Sequence, residues 1–352
     1  MLFGMSEPVA AALVGLGGGI ALGLAARIGR FCTLGAIEDF LYQGSDIRMR
    51  MWGVAIGVAV IGTQLMLATG LLLPETTLYL GAKWWPVASI AGGLLFGYGM
   101  ALAGNCGFGA LARLGGGDLR SFVIVMVMGL SAYVTLSGPL ARLRVWAFPQ
   151  EPAEGPAPPG IAHGLAHLTG LSVPAIGLAL GIVILAVALA SRAMRARPGA
   201  VFWGVVVGLA VAGGWAGTAW LHAESLGGVA VASHTYSAPL GETMLYAMTS
   251  SGSALSFGVG SVLGVLAGAF IGSLFKGHFR WEACEDPREL RRQILGAALM
   301  GTGAVIAAGC TIGQGISAFA LLAYSAPVTL AAILAGAALG LRQLIEGFVP
   351  AE

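Results

Sequence analysis

Three cysteines of this 352-residue chain stand in one local frame, each followed three positions later by a glycine: Cys32-Thr-Leu-Gly35, Cys106-Gly-Phe-Gly109 and Cys310-Thr-Ile-Gly313. Glycine frees the backbone and leaves its N–H groups unshielded at the point where a thiol is offered. A short helix starting at each cysteine would aim its first N–H groups and its positive dipole end at the thiol and at any anion bound there. No Cys-x-x-Cys is present, so the thioredoxin-like and zinc-knuckle signatures are missing. Three users of such thiols remain: a disulfide relay, which demands strict sulfur geometry; copper(I), for which the scattered methionines form no track; and a sulfur-bearing anion. In the last case a polarisable terminal sulfur takes S–H donation while the oxygens take backbone N–H groups.

The neighbours of the thiols are candidate supports for a bound anion: Thr33 and Gly35, Gly107 and Gly109, Thr311 and Gly313. Asn105 and Gln314 could donate amide hydrogens to a substrate oxygen or satisfy backbone freed at the break. A degenerate fourth unit is sought in Ser251-Gly-Ser-Ala-Leu-Ser256, with Ser253 in the cysteine's place. Cys284 falls in the most basic loop and is set aside as incidental. His163 and His167 are spaced i, i+4 but lack the further ligands that zinc requires, so no metal site is assigned. No cofactor is indicated.

The elements that must hold these residues are membrane helices. Hydrophobic residues make up 57% of the chain and charged ones 10%, against about 25% charged in an ordinary soluble domain. Apolar runs at 9–26, 52–73, 86–104, 121–141, 172–191, 200–221, 254–275, 294–309 and 326–341 approach the roughly 20 residues that cross a bilayer, giving about nine transmembrane helices. Non-helical backbone at that depth is tolerated only where protein buries it or a polar cavity meets it, so the glycine breaks mark a path or site. The Pro/Gly-rich stretch from Phe148 to Gly160 cannot be a membrane helix and divides the chain: residues 1–147 form a first half, 148–171 an outer linker, and 172–352 a second half. Two breaks per half would match a duplicated transporter with discontinuous helices.

All but Lys83, Arg142 and Arg144 of the 18 Lys and Arg residues fall on one side if the amino terminus is outside, so the positive-inside rule favours an outer N-terminus and a cytoplasmic C-terminus. Met1 to Pro8 holds no Lys or Arg to begin a cleavable signal. The net charge of +2, dispersed between spans, excludes a nucleic-acid surface. Gly15, Gly19 and Gly23, and Gly260, Gly264, Gly268 and Gly272, form smooth ridges suited to close helix contact. Trp84, Trp85, Trp146 and Trp281 lie near span ends and read as interfacial anchors.

Gly309-Cys-Thr-Ile-Gly-Gln-Gly315, Gly104-Asn-Cys-Gly-Phe-Gly109 and Arg30-Phe-Cys-Thr-Leu-Gly35 resemble the YeeE/YedE family of bacterial sulfur transporters over nearly the whole chain. The resemblance implies an all-α polytopic inner-membrane protein, hourglass-like, with pseudo-symmetric halves and short half-membrane helices meeting mid-membrane. It implies thiosulfate uptake through Cys32, Cys106 and Cys310 by transient thiol hydrogen bonds, without a redox step, with a small cytoplasmic sulfur carrier of the TusA type as a further partner. The residues alone reach a membrane path for a small soft anion. They leave open a membrane thiol enzyme, either a disulfide oxidoreductase or a persulfide-forming sulfurtransferase.

Overall fold

A computed structural model describes residues 5–149, 151–153, 158–283 and 286–347. Cys284 lies outside them. The described residues are helical, with isolated bridges in place of strands. In chain order the principal helices are α1 (Glu7–Arg27), α2 (Thr33–Tyr42), α3 (Ile47–Thr69), α4 (Pro86–Ala103), α5 (Gly107–Gly115), α6 (Leu119–Leu136), α7 (Ile161–Thr169), α8 (Val173–Leu189), α9 (Pro198–Glu224), α10 (Ala238–Thr249), α11 (Phe257–Phe275), α12 (Pro287–Ile306), α13 (residues 311–320) and α14 (Ser325–Glu346).

Long helix, break, short helix, long helix is the repeating phrase: α1-α2-α3, α4-α5-α6, α9-α10-α11 and α12-α13-α14. Among the described residues, seven helical spans, of which α4 with α5 counts as one, are long and apolar enough to cross a membrane, and the α7–α8 pair, bent by 120° at its break, makes an eighth if counted as one span. The expected nine is not reached because α12 opens with Arg288, Glu289, Arg291 and Arg292, whose charges dilute its apolar length. Helix α7 also occupies part of the stretch expected to be linker.

Glycine sets how close these helices come. The α1 ridge meets the α11 ridge directly: Gly19 lies against Gly264, Gly15 against Phe257 and Ser261, and Gly260 against Ala12. The contacts advance together along both chains, so α1 and α11 run parallel. Helices α1 and α9 run antiparallel, since Gly217 meets Val14 while Trp203 meets Gly29. On the other side of the molecule α4 and α14 are parallel, with Gly93 against Ala332 and Gly97 against the Ile333 carbonyl. Lipid tails are as apolar as leucine, so it is this backbone-close van der Waals contact, not water exclusion, that holds the helices together.

A methyl group at Gly97 would fall within the Ile333 carbonyl, whereas one at Gly17 would meet nothing within 4 Å. Gly97→Ala is expected to lose about 1–3 kcal/mol of stability by overpacking, and Gly17→Ala to be neutral or slightly stabilising; thermal unfolding in detergent compares the two.

Candidate functional site

Each of the three aligned cysteines is the N-cap of a short helix. Cys32 precedes α2 and its Sγ accepts the Gly35 N–H at 3.5 Å. Cys106 precedes α5 and accepts the Gly109 N–H at 3.4 Å. Cys310 precedes α13 and accepts the Gly313 N–H at 3.4 Å. In all three the cap carbonyl takes the first helical bond, from Ala36, Ala110 and Gln314. A cap must satisfy one of the orphan donors at a helix start, normally with a serine or aspartate oxygen. Sulfur is a weaker acceptor, and in accepting it leaves its own S–H proton free to donate.

The same turn delivers each cap. Two residues ahead of the thiol the backbone is left-handed: Arg30 at φ 56°, Gly104 at φ 76° and Ala308 at φ 54°. That residue reverses the chain after the preceding long helix and starts the short one two positions later. Only glycine takes this conformation without strain. Helix α13 adds a π-turn over Gly313–Ala318, a local widening that recurs at functional sites.

The glycine three positions after each cysteine leaves room for a polar group from elsewhere. A methyl at Gly35 would meet the Arg48 guanidinium, one at Gly109 the Asn105 amide oxygen, and one at Gly313 the Thr235 hydroxyl with Tyr79 behind it. Cys310 has the most polar neighbours: beyond the Gly313 N–H, its Sγ receives the Tyr236 N–H at 3.2 Å and lies 3.6 Å from the Thr235 hydroxyl. Cys106 is wholly buried, faces Thr311, and lies within electrostatic reach of both Cys32 and Cys310. The three thiols are free, and Cys106 has both of the others as neighbours.

Thr33 and Thr311, directly after their cysteines, have buried hydroxyls with no hydrogen-bond partner among the described residues. Gly107 lies against Met128 and the Tyr236 carbonyl. Asn105 is buried and lines a cavity beside Cys32. Gln314 donates its amide hydrogens to the Ala307 and Ala308 carbonyls at 2.8 and 3.2 Å, closing the break. Ser253 is not brought to the thiols; it sits in a turn bonded to Thr249. The fourth break is instead Ser233-His234-Thr235-Tyr236-Ser237 ahead of α10. It is buried, and its His234 and Tyr236 both bond Ser261. The signal was available: polar residues followed by Ser237-Ala-Pro239, a helix start with proline in its first turn.

Two cavities lie at opposite ends of α4, whose 18 residues span about 27 Å. One, past Gly104, is lined by Cys32 and Asn105 with Arg27, Arg30, Arg48, Arg113, His278 and a single carboxylate, Glu38. The other, at the first turn of α4, is lined by Tyr79, Lys83, Trp85 and Arg144 and reaches Gln314 and Ala308 beside Cys310. Trp84 and Trp85 therefore wall a cavity, while Trp146 and Trp281 are exposed, as membrane-interface anchors would be.

Apolar helices of membrane-spanning length, broken beside three free thiols and with a cationic cavity at either end of α4, define a multi-pass membrane protein. Residues 28–339 match the family described as sulphur transport, and the chain belongs to that family. It is a transport protein rather than an enzyme. It is similar to the thiosulfate transporter TsuA of Escherichia coli (strain K12), 26% identical over 352 residues with 92% of each chain covered. It is also similar to the thiosulfate transporter TsuA of Spirochaeta thermophila, 25% identical over 331 residues, covering 87% of this chain and 91% of that one.

The left-handed Ala308 gives a direct check on the turn that sets Cys310. Ala308→Gly is expected to keep or raise stability, whereas Ala308→Val should lose about 1–3 kcal/mol, read as opposite displacements of the melting temperature.

Proposed function

We propose that this chain takes up thiosulfate, or a related small sulfur-bearing anion, across a bacterial inner membrane, handing it along Cys310, Cys106 and Cys32 by transient thiol hydrogen bonds. The observation that carries the reading is the set of three free thiols, each at a helix N-terminus, with a cationic cavity at either end of α4. At each stage the S–H can donate to the terminal sulfur of the anion while backbone N–H groups face its oxygens. The orphan hydroxyls of Thr33 and Thr311 supply further donors, and Asn105 adds an amide beside Cys32. No electron transfer is needed.

The distribution of Lys and Arg favours an outer N-terminus and a cytoplasmic C-terminus. The Lys83 cavity then faces the periplasm and the arginine-lined cavity the cytoplasm. The antiparallel α1 and α9, each opening a pair of broken-helix units, support two inverted halves about the thiols. An inside-negative potential opposes a dianion by about 2.3 kcal/mol per charge per 100 mV. Uptake therefore depends on a coupled ion or on rapid consumption, and a sulfur carrier of the TusA type at the cytoplasmic face would provide the second.

Growth on thiosulfate as sole sulfur source, in cells lacking other uptake routes, tests the path. Cys32→Ala, Cys106→Ala and Cys310→Ala are each expected to slow uptake by on the order of tenfold or more, a barrier increase of ~1.4 kcal/mol; full growth of all three at equal expression would sink it. Thr311→Val offers a test of opposite signs. It keeps the shape and removes a buried hydroxyl left without a partner, a group that costs about 1–3 kcal/mol, so the melting temperature should rise while uptake falls.

A further inference from the structure

We propose that the Lys83 cavity is an oxyanion-binding site in its own right, which selects small divalent oxyanions by charge and leaves the selection of sulfur to the thiols beyond it. The proposal rests on the transport reading above but concerns residues outside the cysteine units. Two residues that line this cavity carry buried N–H donors with no hydrogen-bond partner among the described residues: Arg144 at Nε and Trp85 at Nε1. An ionised donor left unsatisfied is among the more expensive groups a protein can bury. Both orphans donate and neither accepts, so the complementary ligand is an acceptor with several oxygens.

Charge points the same way. The described lining residues include two cations, Lys83 and Arg144, and no carboxylate. Lys83 Nζ stands 5.1 Å from the Trp85 ring centroid. It bonds Glu151 at 2.8 Å in a half-exposed pair, and such pairs are worth under about 1 kcal/mol. Among the described residues Arg144 Nη2 donates to the Leu136 carbonyl, at 3.4 Å, which holds the guanidinium across the end of α6. At the inner end of the cavity Gln314 presents an unpartnered oxygen. An acceptor there repels oxyanions and marks where thiol donors take over.

The site contains no sulfur, so nothing in it distinguishes thiosulfate from sulfate. Sulfate should therefore bind and compete without being carried.

The full chain in detergent is titrated calorimetrically with sodium thiosulfate and with sodium sulfate, sodium chloride serving as the ionic-strength control, and uptake is followed in proteoliposomes. Wild type and Cys310→Ala are expected to bind both anions with midpoints within about threefold of each other, a difference under 1 kcal/mol. Arg144→Gln should weaken both by about tenfold or more, the loss of one charge-assisted donor. In transport, sulfate raises the KM for thiosulfate without appearing inside. Arg144→Gln raises KM with little change in maximal rate and weakens sulfate inhibition in parallel. Trp85→Phe, which keeps the ring and deletes the N–H, should do the same to a smaller degree and covers the case in which Arg144→Gln does not fold. Unchanged binding in both variants, or thiosulfate binding with no sulfate competition, overturns the site even if cysteine-dependent uptake stands. Arg144-dependent binding with no thiosulfate uptake by wild type would overturn the transport reading and leave the site.

Discussion

The hydrogen bond from a backbone N–H to a cysteine sulfur at the start of a short helix is the interaction on which the rest depends. A helix that stops within a bilayer strands its end groups away from water, and each must find a partner inside the protein. In this chain a thiol serves as that partner three times over, at 3.4 to 3.5 Å. Sulfur satisfies the break only weakly, and that weakness is useful. A tight oxygen cap would hold its N–H groups against any ligand, whereas a thiol leaves them open to exchange and still has a proton to offer.

The glycine ridges follow from the same constraint. Four broken-helix units cannot converge unless the long helices around them approach closely, and the α1–α11 and α4–α14 contacts do this by placing glycine against backbone. The buried centre is then crowded with short polar segments rather than side-chain bulk. His234, Tyr236 and Ser261 form a bonded group in it, and Ser317 donates to the His234 carbonyl at 2.7 Å, fixing the strand of backbone that presents the Tyr236 N–H to Cys310.

The sequence made the cysteine frame, the glycine ridges and the polytopic class legible because each depends on spacing along a single helix. The fourth break lacks a thiol, so the cysteine frame did not point to it, and Ser251–Ser256 imitated it by composition alone. Its helix start at Ser237-Ala-Pro239 was legible locally, but its pairing of Thr235 and Tyr236 with Cys310, more than 70 positions away, is not encoded in local pattern. Trp84 and Trp85 misled for a related reason: an aromatic pair at a helix start looks the same whether it faces lipid or a cavity. Gln314 showed both of its possible uses in sequence, and only the positions of the Ala307 and Ala308 carbonyls decide between them.

The empty space beside Gly35, Gly109 and Gly313 is filled by Arg48, by Asn105, and by Thr235 with Tyr79. Except for Asn105, these groups come from a different element than the thiol they approach. Hardware and adjustment are therefore separable: the thiol with its glycine is a fixed socket, and the polar group beside it is a setting. A lineage could change the surroundings of one thiol and not the others by altering Arg48 or Tyr79, residues that lie outside the cysteine units in sequence and would pass unremarked in a search for them.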